Sequence, residues 1–152
     1  MKIFEQYKQS LKMPDAEEPL DLFFYRPLGF LFVKLISPLP VTPNHISLMA
    51  MIFGVISGFY YAEMTPEAVF IAGLFYSAYY LFDISDGQLA RLKKNGTRLG
   101  RIIDGISDYV THLAVYIGLG VGMVHAGEEP FYSWLLLLSA LVSMMLQAVL
   151  VD

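Results

Sequence analysis

The chain has 152 residues, of which 56% are apolar and only 16% charged, with a mean hydropathy of +0.54. A soluble domain carries about 25% charge, so this composition indicates lipid as the solvent for a single domain. Cysteine is absent, which excludes disulfides, thiolate metal sites and a cysteine nucleophile, and the ten basic residues, in a chain of net charge −4, are too scattered for a nucleic-acid footprint.

The first 21 residues are polar and lack the apolar core of a signal peptide. They are expected to form a solvated segment, helical early and broken at Pro14 and Pro19. Residues 22–152 are expected to form one membrane-embedded domain. Its first stretch, 22–37, is apolar but interrupted by Arg26, Pro27 and Lys34. It is too short and too basic to span. An interfacial amphipathic helix from Pro27, with its cations at the headgroups, fits better. Pro38 and Pro40 then break the chain.

Four apolar stretches follow, at residues 45–62, 66–82, 102–126 and 131–151. A span needs about 20 residues, and in lipid each must be helical to satisfy its own backbone. The expected fold class is therefore all-α, a polytopic transmembrane helix bundle with four spans. Pro66 suits a first helical turn, and Asn95-Gly96 signals a turn in the polar stretch 92–99. Every Lys and Arg lies before residue 35 or between 91 and 101. The positive-inside rule places the N-terminus and that basic loop in the cytoplasm. The Asn95-Gly96-Thr97 sequon would then be silent.

Four acids stand at membrane depth or near it: Asp83, Asp86, Asp104 and Asp108. Burying a carboxylate there costs about 3 kcal/mol or more, so intramembrane acids default to function. Asp83, Asp86, Gly87, Ala90 and Arg91 recur at helical spacing on one face, as do Gly100, Asp104 and Asp108. Antiparallel helices joined by a short loop would bring both faces together. The acids would repel one another unless neutralised, and hard oxygen-loving cations such as Mg²⁺ or Mn²⁺ suit them, two ions for four charges. Gly87 and Ala90 leave room for a ligand, and Arg91, Lys93, Lys94, Arg98 and Arg101 add positive charge. This combination points to a phosphate-rich substrate and phosphoryl transfer.

Residues 83–108 fit D-x2-D-G-x2-A-R-x8-G-x3-D-x3-D at all eight fixed positions. That signature resembles the class I CDP-alcohol phosphotransferase family, and Thr42-Pro43-Asn44 is similar to an element that many members carry before their first span. The resemblance implies metal ligation by Asp83, Asp86, Asp104 and Asp108, with Asp108 also the general base. It implies that Gly87 and Arg91 contact the cytidine diphosphate of the donor, that Thr97 lies near the donor phosphates, and that Thr42, Pro43 and Asn44 lie near the cytidine. The implied reaction moves a substituted phosphate from a CDP-alcohol, such as CDP-diacylglycerol or a related CDP-lipid, to an acceptor alcohol and releases CMP. A homodimer in the bilayer is implied too. The family usually has six spans, so the chain is expected to be incomplete at its C-terminus.

Other readings share some of these features. Structural ion pairing could explain acids beside bases. An intramembrane prenyltransferase shares Asp-rich motifs and diphosphate but lacks this Gly-x2-Ala-Arg spacing. A cation transporter would place acids near the midplane on broken helices. His45 and His112 are expected to be structural or interfacial, since imidazole is a poor partner for hard oxygen sites, and His125 is expected to be solvated at the outer edge. Lys93 and Lys94 are read as topogenic and Tyr60, Tyr61, Tyr79 and Tyr80 as an interfacial belt. The Gly54-x3-Gly58 and Gly118-x3-Gly122 pairs are read as packing motifs within the bundle.

Overall fold

The computed structural model of the protein describes residues 3–11 and 20–151. The expected break at Pro14 and Pro19 lies outside the described residues. Among those described, the chain is all-helical, with six α-helices and no strand. These are α1 Ile3–Ser10, α2 Arg26–Ile36, α3 Pro43–Tyr61, α4 Pro66–Lys93, α5 Arg98–His125 and α6 Pro130–Val151. A π-helical turn, Asp21–Tyr25, leads into α2. By length and composition, one helix among the described residues, α4, is long and apolar enough to cross a membrane.

Local chemistry explains the helix ends. Thr65 caps α4, its Oγ1 accepting the Ala68 N–H at 3.2 Å, and Pro66 takes the first position. The apolar stretch ends at residue 82, yet α4 continues to Lys93 without a break. Gly87 is the weakest helix former on the way, and one glycine costs about 1 kcal/mol in a helix interior. The stop comes at Lys94, which adopts φ 53°. Lys94 N–H reaches the Arg91 carbonyl and Asn95 N–H the Ala90 carbonyl, the paired bonds of a Schellman ending. The turn thus begins one residue before Asn95-Gly96, with a lysine in the left-handed position that glycine usually fills. α5 ends the same way, with Gly127 at φ 93°.

Two compact units divide the chain. The first comprises Met1–Met51 and Ser77–Ser107. Its apolar centre is Val33, Ile46 and Leu89, flanked by Phe32, Ile36, Val41, Phe82 and Leu92. Gly29 lets α2 approach α4 closely, since a Cβ there would lie 2.6 Å from Gln88 Oε1 and 3.0 Å from Ser85 Oγ. Gln88, fully buried, donates its Nε2 to the Arg26 carbonyl at 3.0 Å. Tyr80 donates its hydroxyl to Asp21, 2.8 Å from Oδ1. Tyr79 departs from the expected aromatic belt: at 3% exposure it packs inside this unit.

The second unit comprises Ile52–Tyr76 and Asp108–Asp152. Here backbones meet. A Cβ on Gly118 would fall 2.0 Å from the Gly58 carbonyl oxygen, one on Gly58 2.5 Å from the Ala114 carbonyl, and one on Gly122 2.3 Å from the Tyr61 carbonyl. Both glycine pairs therefore act in packing, as their spacing indicates. Tyr60 stacks on Phe75 at 5.7 Å, and Ser57 donates to the Ala72 carbonyl at 2.8 Å.

Both units bury polar side chains among apolar ones and turn large apolar side chains outward. Buried positions include Ser47, Ser85, Asp86, Gln88 and Ser107 in the first and Ser57, Thr111 and Ser133 in the second. Large apolar side chains, among them Leu48, Phe59, Phe70, Leu74, Ile106 and Leu136, stand outward. Small and polar residues at helix contacts with apolar residues outside suit an apolar solvent.

Candidate active site

The site lies in the first unit, where α4 and the start of α5 carry the signature up to Ser107 and α3 supplies a third wall; the signature's last acid, Asp108, begins the second unit's share of α5. Asp83, Asp86, Gly87, Ala90 and Arg91 fall on consecutive turns of α4. Asp83, Asp86 and Asp104 line one cavity of about 430 Å³ with Gly87, Ala90, Arg91, Arg26, Ile84, Gly96 and Arg101. A smaller cavity of about 90 Å³ shares Asp86, Gly87, Ala90, Gly96, Arg101 and Asp104, and adds Pro43, Asn44, Ser47, Asn95, Thr97 and Gly100. Most of the expected site residues therefore meet. Thr42 and Asp108 line neither cavity; the Thr42 N–H instead faces His45 Nδ1 at 3.4 Å.

The acids fit a hard cation. Asp83 and Asp104 offer carboxylate oxygens within 4.8 Å of each other, a spacing at which one ion could be held. Oxygens on opposite sides of such an ion stand about 4–5 Å apart. Asp86 is the most enclosed of the three cavity acids, 5% exposed. Its Oδ2 accepts a short hydrogen bond from Ser47 Oγ. Ser107 in turn donates its hydroxyl to the Ser47 carbonyl at 3.0 Å. Two buried serines thus tie α3 and α5 to an acid on α4. A hydroxyl donor of this kind fixes the orientation of the carboxylate it binds; Asp86 itself stands outside the group of acids whose oxygens converge.

Ser47 was not singled out by the sequence reading. It stands three residues after Asn44, hence on the same helical face, and that spacing was the available signal. Arg26 is also newly placed: it lines the acid-walled cavity, whereas the sequence suggested only a headgroup contact.

Glycines make room at two points. Both terminal nitrogens of Arg91 lie 3.3 Å from where a Gly87 Cβ would stand. A Cβ on Gly100 would come within 3.1 Å of Asn44 Oδ1 and 3.2 Å of Thr97 Oγ1. Thr97 has a local task as well, for its Oγ1 accepts the Gly100 N–H at 2.9 Å and caps α5. Lys93 donates to the carbonyls of Leu39 and Val41, both at 2.9 Å, so it tethers the segment leading into Pro43. The sequence had pointed to topology and to positive charge beside the acids for this lysine, not to a tether. All three histidines engage backbone: His45 faces the Thr42 N–H, His112 the Asp108 carbonyl at 2.7 Å and His125 the Ala62 carbonyl at 3.0 Å.

A profile of the CDP-alcohol phosphatidyltransferase family matches residues 40–151. The chain belongs to this family. The CDP-alcohol phosphatidyltransferases are membrane-associated phosphotransferases of phospholipid biosynthesis, so this protein is an enzyme that transfers a phosphate-linked group from a CDP-alcohol. The family is typically metal-dependent, and the carboxylates lining the cavity are the residue type that role requires. No curated protein matches the chain.

Proposed function

We propose that the protein transfers a substituted phosphate from a CDP-lipid, of the CDP-diacylglycerol kind, to an acceptor alcohol at the cytoplasmic face of a membrane. The observation that carries this reading is the acid-walled cavity itself, in which Asp83, Asp86 and Asp104 stand beside Gly87 and Arg91. Asp83, Asp86, Asp104 and Asp108 would hold two Mg²⁺ or Mn²⁺ ions. When bound, these ions would neutralise the diphosphate and polarise its phosphoryl oxygens. Arg91 would pair with the diphosphate oxygens, a task suited to a planar guanidinium. Gly87 would let the donor approach the α4 backbone. Pro43 and Asn44, with Thr42 before them, would border the cytidine, and Thr97 would border the phosphates.

Asp108 would accept the proton of the acceptor hydroxyl. The acceptor oxygen would bond to the phosphorus that carries the lipid oxygen, while the bond from that phosphorus to the bridging oxygen breaks. The bridging oxygen then leaves with CMP. In this reading α3, α4, α5 and α6 are four spans, α2 lies at the interface, and two copies form a homodimer. The distribution of Lys and Arg supports the orientation.

The test is to incubate the purified protein with labelled CDP-diacylglycerol, Mg²⁺ and a panel of alcohols. CMP release that depends on both metal and acceptor is the expected result. Absence of CMP with every acceptor, at full metal loading, would count against the reading.

A further inference from the structure

Arg91 is held from an unexpected quarter. Its Nε donates to the backbone carbonyl of Ser10 at 2.6 Å, across 81 positions of sequence. Ser10 is the last residue of α1 and is fully buried. The final carbonyls of a helix lack partners within it and carry the negative end of its dipole. A guanidinium is a suitable partner for such an end, and a charged donor makes this a strong hydrogen bond.

The segment carrying that carbonyl is itself anchored. Tyr7 meets the Phe30 ring edge-on at 5.3 Å and points its hydroxyl at the Leu22 carbonyl at 3.4 Å. Lys34 of α2 donates to the Gln6 side chain. The Ser10 hydroxyl donates back to the Tyr7 carbonyl at 2.7 Å, which closes the end of α1. Gly87 lies beside the guanidinium as well, where any Cβ would stand 3.3 Å from both terminal nitrogens. Arg91 thus meets the Ser10 carbonyl through Nε and a bare backbone beside its terminal nitrogens, on the wall of the acid-lined cavity.

We propose that α1 is a positioning element of the donor site: docked on α2 through Tyr7 and Gln6, it presents the Ser10 carbonyl that orients Arg91 toward the donor diphosphate. The N-terminal segment is then part of the binding machinery. This inference rests on the reading that Arg91 contacts the donor, and the experiment separates the two.

The probe is CDP, titrated by calorimetry into the purified full chain in detergent with Mg²⁺, so that no acceptor is needed. Mn²⁺ binding, followed by its paramagnetic resonance signal, is measured alongside. Arg91→Ala is expected to weaken CDP binding. Tyr7→Ala is expected to weaken it roughly tenfold, the scale of one hydrogen bond to a charged group, with Mn²⁺ binding unchanged. Tyr7→Phe, which keeps the ring on Phe30, is expected to restore wild-type affinity. In the Arg91→Ala background Tyr7→Ala is expected to add nothing, because coupled residues are not additive. Gln6→Ala, at an exposed contact, serves where Tyr7→Ala does not accumulate, with a smaller loss in the same direction.

Equal losses from Tyr7→Ala with and without Arg91 would mean a merely structural role and would overturn the proposal. So would CDP affinity unchanged in both α1 variants while Arg91→Ala weakens it; that result leaves the donor reading standing. Unchanged affinity in Arg91→Ala would remove the donor role of Arg91 and this proposal with it. A wild-type chain that binds Mn²⁺ but not CDP would overturn the functional reading as well.

Discussion

The two units are held together by different physics. In the first, polar side chains bind buried polar groups: Ser47 to Asp86, Ser107 to the Ser47 carbonyl, Gln88 to the Arg26 carbonyl and Arg91 to the Ser10 carbonyl. In the second, glycines bring backbones into contact at Gly58, Gly118 and Gly122. Polar networks confer direction, which a binding site needs. Glycine seams confer close approach without direction and tolerate little added volume.

Four substitutions would break or sharpen that contrast. The largest effect is expected from Asp108→Asn, which keeps the shape of the side chain and removes its basicity. Turnover should fall by about 10²–10⁴-fold, the usual contribution of a general base, while Mn²⁺ binding persists. Undiminished turnover would refute the base assignment. Next is Ser47→Ala, which removes the partner of Asp86 without adding volume. Metal affinity should weaken about 10–100-fold, as for other outer partners of metal ligands. Melting in the presence of excess Mg²⁺ should change little, and a large drop in stability at saturating metal would show that Ser47 acts as packing instead.

In the second unit Gly118→Ala should have the reverse profile. Its Cβ would sit 2.0 Å from the Gly58 carbonyl oxygen, so overpacking of about 1–3 kcal/mol is expected. Thermal unfolding in detergent would report it, with metal affinity intact in the folded fraction. The smallest effect belongs to Gly73→Ala on α4, where nothing lies within 4 Å of the added methyl. Helix propensity alone predicts stabilisation of up to about 1 kcal/mol. Destabilisation there would mean that an unseen neighbour occupies that face, such as a second copy of the chain.

Much of the fold was legible because apolar length and charge placement are local properties. Helical structure over the four apolar stretches, the Pro66 start and the glycine pairs follow from residue type and a period of 3.6. The boundaries were less legible. α4 runs to Lys93 because helical hydrogen bonds continue past the apolar stretch until a left-handed residue stops them. Tyr79 looked interfacial by its type and is buried because of what packs on it. For the candidate site, the acids, Gly87 and Arg91 were legible from their repeated spacing on two helices. Ser47 was not: its spacing from Asn44 marks a shared helical face, but nothing local marks Asp86 as its partner.

By itself, then, the sequence determined the helical class, the family and the positions of the four acids, because each depends on residue type at short, regular spacing. Tertiary structure decided which backbone carbonyls hold Arg91 and Lys93, and which hydroxyl orients Asp86. Those partners lie 81 positions away for Arg91, 54 and 52 for Lys93, and 39 for Asp86. Contacts at such separation arise only when helices pack, and no local pattern encodes them.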